Sequence, residues 1–293
     1  MSRIPITKTP KVYVGGAFIR SESGRTFPIY EGKRTDKFFA NVPQCTRKDV
    51  RNAVEAAAKA GPDWAKRTPY NRGQIIYRLG EMLESRSDEM AAAITRSGGG
   101  NSSKREAEKE VAATVDRLIY YAGWADKYEQ VLGNSNPVSG PFFNFTVAEP
   151  MGIVGIIAGD RDPLFGLMSQ IAPVIVSGNV VVALASETQP YPAIVLGEML
   201  ATSDLPGGVV NLLTGYRREL VPTFASHTHL RGVSAVVGPD ERKELKLGAA
   251  ESVKRVRTRK AEEDVDWYSE KSQGVYEIRD FVEFKTTWHP IGV

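Results

Sequence analysis

Cysteine is almost absent from this sequence, because its 293 residues contain only Cys45. One cysteine excludes an internal disulfide and fits a reducing cytoplasm, which is the expected location. Histidine is also scarce, with three residues in all. The one close pair, His227 and His229, therefore has too few companions for a complete set of metal ligands, and we predict no metal site.

Long apolar runs are missing as well. No segment approaches the roughly 18 apolar residues of a membrane span, and the first residues lack the apolar core of a secretory signal. The net charge of +3 is too small to indicate a nucleic acid or membrane partner. A basic cluster at residues 254–260 is followed at once by acidic residues. We interpret the cluster as the solvated end of a charged helix over 241–260, or as a zone of salt bridges between subunits.

Buried strands and single helices alternate in the middle of the chain. Residues 153–158 form an apolar run without alternation, which is typical of a strand covered on both faces. The later elements follow the same order: strands over 180–184, 209–213 and 233–237, and helices over 164–176, 193–201 and 217–225. Such repeats imply right-handed crossovers and a parallel sheet. We predict an α/β fold with a doubly wound, Rossmann-like domain over residues 149–274.

Two other regions flank this predicted domain. Residues 1–131 are predicted to form a helical region that opens with a hairpin. Two capping boxes mark helix starts in this region: Thr46 with Asp49, and Ser103 with Glu106. Residues 132–148 and 275–293 are predicted to form an oligomerisation arm of β-strands, because strand-forming aromatic and β-branched residues are concentrated in them.

Several short motifs follow one another along the chain. They are Glu149-Pro150-Met151-Gly152-Ile153-Val154-Gly155, Ile171-Ala172-Pro173, Gly178-Asn179, Ser186-Glu187, Leu205-Pro206-Gly207-Gly208-Val209-Val210-Asn211 and Glu283-Phe284-Lys285-Thr286-Thr287-Trp288. In this order they resemble the aldehyde dehydrogenase superfamily. The resemblance implies a cofactor-binding domain, a catalytic domain inserted after it, and a strand arm that pairs with a neighbouring subunit.

The inserted catalytic domain is where the sequence departs from the family. Only 43 positions separate Val237, the predicted end of the core, from Asp280, the predicted start of the arm. A domain normally needs roughly 50 residues or more, so the catalytic domain is expected to be missing. The family reaction requires a cysteine thiolate that attacks an aldehyde before hydride transfer to nicotinamide. No cysteine follows Cys45, so we predict no catalytic residue in this chain.

Cys45 lies just before a predicted helix start, where the helix dipole can lower the pKa of a thiol. No histidine is close to it in sequence. We therefore interpret Cys45 as a partly buried residue at the end of a loop.

The cofactor groove that the resemblance implies is also altered. Arg161 stands where the family has an asparagine that stabilises the oxyanion, and Leu184 stands where it has a lysine that reaches the adenosine ribose. The candidate cofactor-binding residues that remain are Ile157, Ala158 and Glu187. We expect no bound cofactor, and NAD(P) in this groove is the alternative.

The chain is most similar to the non-catalytic second unit of tandem aldehyde dehydrogenases. We predict an inactive subunit that assembles with itself or with a full-length aldehyde dehydrogenase. Two other functions stay open. One is an NAD(P)-dependent aldehyde oxidoreductase whose active site a partner completes, and the other is a dinucleotide-sensing module.

Overall fold

The computed structural model describes residues 8–31, 37–97, 103–261 and 265–292. The helices in these ranges are α1 Arg47–Lys66, α2 Pro69–Ser85, α3 Ser87–Arg96, α4 Lys104–Trp124, α5 Tyr128–Leu132, α6 Phe165–Val176, α7 Tyr191–Thr202, α8 Arg217–Ser226, α9 Pro239–Ala250 and α10 Val275–Arg279. The strands are β1 Val12–Val14, β2 Ala17–Ile19, β3 Thr26–Tyr30, β4 Phe38–Pro43, β5 Asn134–Asn136, β6 Phe142–Pro150, β7 Ile153–Ile157, β8 Val180–Leu184, β9 Val210–Leu213, β10 Leu230–Val237, β11 Arg255–Lys260 and β12 Val282–Pro290. No described helix has the apolar length needed to cross a bilayer.

A seven-stranded sheet forms the centre of the fold, in the order β11-β10-β7-β8-β9-β1-β2. The five strands from β11 to β9 are parallel, and the hairpin β1–β2 adds two antiparallel strands at one edge. The reversal of strand order beside β7 is the pattern of a doubly wound sheet. The predicted Rossmann-like α/β fold is confirmed.

The apolar composition of β7, β8 and α6 follows from their position. Every residue of these three elements is buried. Helix α6 packs on the sheet on one side and against α4 on the other. A helix that is covered on all sides has no polar stripe, which explains its uniformly apolar sequence. The N-terminal helices therefore form an outer layer over the crossover helix.

The N-terminal hairpin is held by the turn that precedes β9. The side chain of Asn211 accepts a hydrogen bond from the backbone N–H of Gly15 at 2.9 Å and donates to the carbonyls of Val181 on β8 and Gly208 in the turn. At Gly207, an added Cβ would lie 2.7 Å from the Cα of Gly16. This backbone-to-backbone contact requires glycine, and it fixes the hairpin at the sheet edge.

A second, three-stranded sheet has the order β12-β6-β5. Strands β6 and β12 pair antiparallel over nine residues each, from Val282 opposite Pro150 to Pro290 opposite Phe142. Asn179 joins this sheet to the core, since its side chain donates to the carbonyl of Phe281 at 2.7 Å and accepts from the N–H of Gly152 at 2.8 Å. The strands predicted for the arm therefore pair with each other.

The region after β10 differs from the sequence prediction. The predicted helix over 241–260 is wrong in its second half, because the chain leaves α9 at Ala250 and forms β11, which pairs parallel with β10. The core therefore ends at Lys260 and not at Val237. The extended segment predicted from residue 275 also begins with a short helix, α10.

Helix α6 begins in a dry environment, where a buried carboxylate satisfies its first N–H groups. One carboxylate oxygen of Glu110, on α4, accepts from Leu164 at 2.8 Å and from Phe165 at 3.0 Å. Glu110 is only 3% exposed. Burial, with a smaller contribution from the charge of Asp162, raises the pKa of Glu110 to about 7, despite the two hydrogen bonds that oppose the rise.

This raised pKa predicts a pH-dependent stability. The folded state binds the Glu110 proton more tightly than the unfolded state does. The contribution of this proton to the free energy of unfolding is therefore fully present at low pH and is lost as the pH rises through 7. In Glu110→Gln, which cannot ionise, that loss disappears. The free energy of unfolding of the variant relative to wild type should rise by about 3 kcal/mol between pH 4.5 and 8.

Urea denaturation at a series of pH values measures this difference. Glu108→Gln is the matched control, because Glu108 lies on the same helix with a side chain that is 49% exposed. Its stability should run parallel to that of wild type. If the free energy of unfolding of Glu110→Gln also changed with pH as that of wild type does, the raised pKa of Glu110 would be contradicted.

Candidate functional site

The candidate site lies where the carboxyl ends of β7, β8, β9 and β10 meet. In doubly wound sheets, ligands bind at this edge, beside the point where the strand order reverses. The loops that follow β7 and β8 and the starts of α8 and α9 surround it here. The sequence-predicted residues Ile157, Ala158 and Glu187 all lie on or beside these strand ends, so the structure brings them together.

Asp160 connects the two loops. Its carboxylate accepts a hydrogen bond from the hydroxyl of Ser186 at 2.6 Å and from the N–H of Thr188 at 3.2 Å. Its backbone carbonyl accepts from the side-chain amide of Gln189 at 3.0 Å. The loop that follows β7 is therefore held against the loop that follows β8 by bonds within the chain.

Arg217, the first residue of α8, extends across the groove. Its guanidinium donates to the carbonyl of Ala158 and lies 3.6 Å from the carboxylate of Asp160 and 3.9 Å from that of Glu241. The side chain is only 11% exposed. The backbone N–H of Arg217 donates to the carboxylate of Glu187 at 2.7 Å. The Arg217 side chain and its backbone N–H thus connect the loop that follows β7 with the loop that follows β8.

The backbone of the predicted residues is also engaged. Ile157 pairs with Ala235 on one side and Leu184 on the other, inside the sheet. The N–H of Ala158 donates to the carbonyl of Leu184 at 3.0 Å, and its carbonyl accepts from Arg217. Sequence reasoning missed this role of Arg217, because its partners are distant in sequence and no local motif indicates them.

Negative charge is concentrated in the groove. The carboxylates of Asp160 and Glu241 lie within 4 Å of the guanidinium of Arg217, and the carboxylate of Glu187 accepts a hydrogen bond from its backbone N–H. Two of these acidic residues lie at or near loop and helix starts, where a pyrophosphate would otherwise be favoured. The remaining cavity beside Arg217 and Trp267 has a volume of about 250 Å³, below the usual range of ligand pockets.

Cys45 lies below this edge of the sheet and is fully buried. Its backbone N–H donates to the carbonyl of Thr214 at 2.9 Å. Burial, with a smaller contribution from the charge of Asp49, raises the pKa of the Cys45 thiol to about 12. A thiol with this pKa forms almost no thiolate at neutral pH, so Cys45 lacks the reactivity of a nucleophile.

The basic cluster at residues 254–260 is bonded within the chain. Arg257 and Arg259 both pair with the buried carboxylate of Glu277, and Arg255 pairs with Glu283 at 3.0 Å. The three arginines alternate along β11 and so share one face of the strand. This strict alternation was the signal for a strand that the sequence analysis missed.

Lys254 precedes these arginines and is buried at the end of α8, where it donates to the carbonyls of Phe224 and Ala225. Burial lowers the pKa of Lys254 to about 8. The groups of the basic cluster thus stabilise the fold and are not arranged as a surface for phosphates.

His227 and His229 are the two histidines that lie close together in the sequence. Their ring centroids are 5.9 Å apart. In the ranges that the structure describes, no group of three or more histidine, cysteine or carboxylate side chains is arranged to hold a metal ion.

Comparison with known proteins now identifies the fold. The model of the aldehyde dehydrogenase family matches residues 18–259. The chain belongs to the aldehyde dehydrogenase family. It is 31% identical over 251 residues to an aldehyde dehydrogenase of Alternaria alternata, covering 84% of this chain and 49% of that protein. It is 32% identical over 223 residues to human retinal dehydrogenase 2, covering 75% and 42%.

Solved aldehyde dehydrogenases have the same architecture. An NAD+ complex of the aldehyde dehydrogenase from Bacillus cereus superposes with a TM-score of 0.80 at 26% identity, covering 86% of this chain and 50% of that one. HpcC from Thermus thermophilus gives a TM-score of 0.81 at 28% identity, covering 86% and 48%. The chain thus spans about half the length of the family members it matches.

The buried thiol gives a direct test of reactivity. In the folded protein at pH 8, Cys45 should not react measurably with 5,5′-dithiobis(2-nitrobenzoate), because the thiol is inaccessible and protonated. After denaturation in guanidinium chloride, one thiol per chain should react, and Cys45→Ser should release no thionitrobenzoate in either state. Stoichiometric labelling of the native protein within minutes would show that Cys45 is exposed or activated.

Proposed function

We propose that this aldehyde dehydrogenase family protein is a non-catalytic subunit that assembles with itself or with a full-length aldehyde dehydrogenase. The observation that carries the proposal is the short connection between core and arm. The parallel sheet extends to Lys260, and α10 begins at Val275. Residues 261–274 are far fewer than the roughly 50 that a domain requires. The only cysteine of the chain is buried in the core.

The groove supports the same proposal. The carbonyl of Ala158, the carboxylates of Asp160 and Glu187 and the hydroxyl of Ser186 have partners within the chain, whereas Arg217 Nε and Gln189 Oε1 have none. A ligand would have to displace these bonds and bring phosphates close to three carboxylates. Because unmatched polar groups are costly to bury, the groove favours a structural role over cofactor binding.

The three-stranded sheet supports assembly. Within the described residues, β12 pairs on one side only, with β6, so its other edge can accept a further strand. Large apolar side chains are exposed along both strands: Phe142, Phe143, Val147, Phe284 and Trp288. A long unpaired edge with exposed aromatic residues is an aggregation hazard unless a partner covers it. A second copy of this arm, or the arm of a full-length relative, has the matching strand geometry.

Charges placed on the arm test the assembly. Phe284 and Trp288 are 47% and 58% exposed, so Phe284→Lys with Trp288→Lys should leave the core intact. The wild-type protein, measured by size-exclusion chromatography with light scattering, should have a mass of at least twice 32.1 kDa, or should co-elute with a co-expressed full-length aldehyde dehydrogenase. The double variant should be a monomer, because two lysines cannot be desolvated in the interface.

The control adds the same charge elsewhere. Tyr70 and Leu247 are 66% and 64% exposed and lie away from the arm, so Tyr70→Lys with Leu247→Lys should assemble as wild type does. A wild-type protein that is monomeric alone and does not co-elute with the full-length relative would refute the proposal.

A thermal melting experiment tests whether the groove binds NAD or NADP. NAD or NADP should leave the melting temperature of this protein unchanged, whereas a ligand at about 100 times its Kd would stabilise the fold by about 2.7 kcal/mol. The aldehyde dehydrogenase of Bacillus cereus is the positive control, since its structure has been determined with NAD+. A dose-dependent rise for this chain would instead support the dinucleotide-sensing function.

A further inference from the structure

A second cavity, of about 630 Å³, lies between the N-terminal hairpin and α7. It shares no lining residue with the groove at the carboxyl ends of the strands. Gly197 brings α7 close to the hairpin, because a Cβ there would meet Tyr13 at 2.9 Å and Phe18 at 3.6 Å. The cavity is therefore part of the packed structure and not a gap between loosely connected segments.

The walls of this cavity carry an excess of positive charge. Four cationic side chains line it, from Lys8, Lys11, Arg20 and Arg86, against one carboxylate, that of Glu198. Glu198 pairs with Lys8 and with Arg86, the latter at 3.1 Å. No ion pair joins Lys11 or Arg20 to any of the described carboxylates.

The register of the hairpin places these two cations together. Val12 is paired with Ile19 at the open end of the β1–β2 ladder, and Lys11 and Arg20 are the next residues outward from these two strands. Both side chains line the cavity, so their like charges repel each other there. An anion between the two side chains would remove this repulsion, and nothing in the described part of the chain supplies one.

The rest of the cavity is apolar. Phe18 lies on the same face of the hairpin as Arg20, and Tyr191, Ile194 and Ala201 line the opposite wall on α7. Phe18 is 38% exposed, so it has apolar surface left to cover. A charged entrance beside an apolar wall suits a ligand with an anionic head and an apolar body.

We propose that this cavity binds a small amphipathic anion, in which a phosphate or carboxylate group lies between Lys11 and Arg20 and an apolar body packs on Phe18 and Ile194. The site is independent of the groove and of the assembly proposed above. It adds a ligand-binding function at the opposite edge of the sheet from β11.

The probe is phenyl phosphate, and its binding to the 293-residue chain is measured by isothermal titration calorimetry. Wild type should bind phenyl phosphate more tightly than inorganic phosphate, which lacks the apolar body, and should not bind phenol, which lacks the anionic head. Lys11→Gln with Arg20→Gln should weaken phenyl phosphate binding at least about tenfold, equivalent to about 1.4 kcal/mol. Phe18→Ala should bring the affinity for phenyl phosphate down to that for inorganic phosphate.

Lys243→Gln with Lys246→Gln is the matched control, because it removes the same charge from α9, away from the cavity. It should bind phenyl phosphate as wild type does. The melting temperature of Lys11→Gln with Arg20→Gln should not fall, since the change removes a repulsion, so a loss of binding cannot be attributed to unfolding. No binding by wild type, or equal binding by the two double variants, would overturn the proposal.

Discussion

The structure depends on the covering of its central strands on both faces. Because β7 and β8 are entirely buried, the crossover helix α6 must pack on them and must itself be covered by α4. That requirement places the start of α6 where water cannot reach its N–H groups. Glu110 satisfies them from α4, and its raised pKa is the energetic cost of an ionisable group in that position.

The same constraint governs the carboxyl edge of the sheet. Polar groups that become buried there need partners, and ligands usually provide some of them in doubly wound folds. Here Arg217 and Asp160 provide several of them from within the chain. The fold of the aldehyde dehydrogenase family is thus retained, and Arg217 extends across the groove.

Strand β11, at the sheet edge beyond β10, is also stabilised by side chains from elsewhere in the chain. Strand β11 presents three arginines on one face, and the carboxylates of Glu277 and Glu283 return from the segment that leads into the arm. These ion pairs cover the face of β11 that carries the arginines. The basic cluster therefore contributes to the internal order of the protein and connects the core to the arm.

The sequence by itself determined the order of strands and helices in the core, since apolar runs without alternation and glycine-containing turns are local signals. It also indicated the family and the short connection that leaves no space for a catalytic domain. It did not determine that residues 255–260 form a strand. The arginines alternate with a period of two, but their dense positive charge favoured the interpretation as a charged helix end. The contacts of Arg217 across the groove and the capping of α6 by Glu110 were decided only by tertiary structure. Each depends on residues that are distant in sequence and meet only when the sheet, its crossover helices and the N-terminal hairpin have packed together.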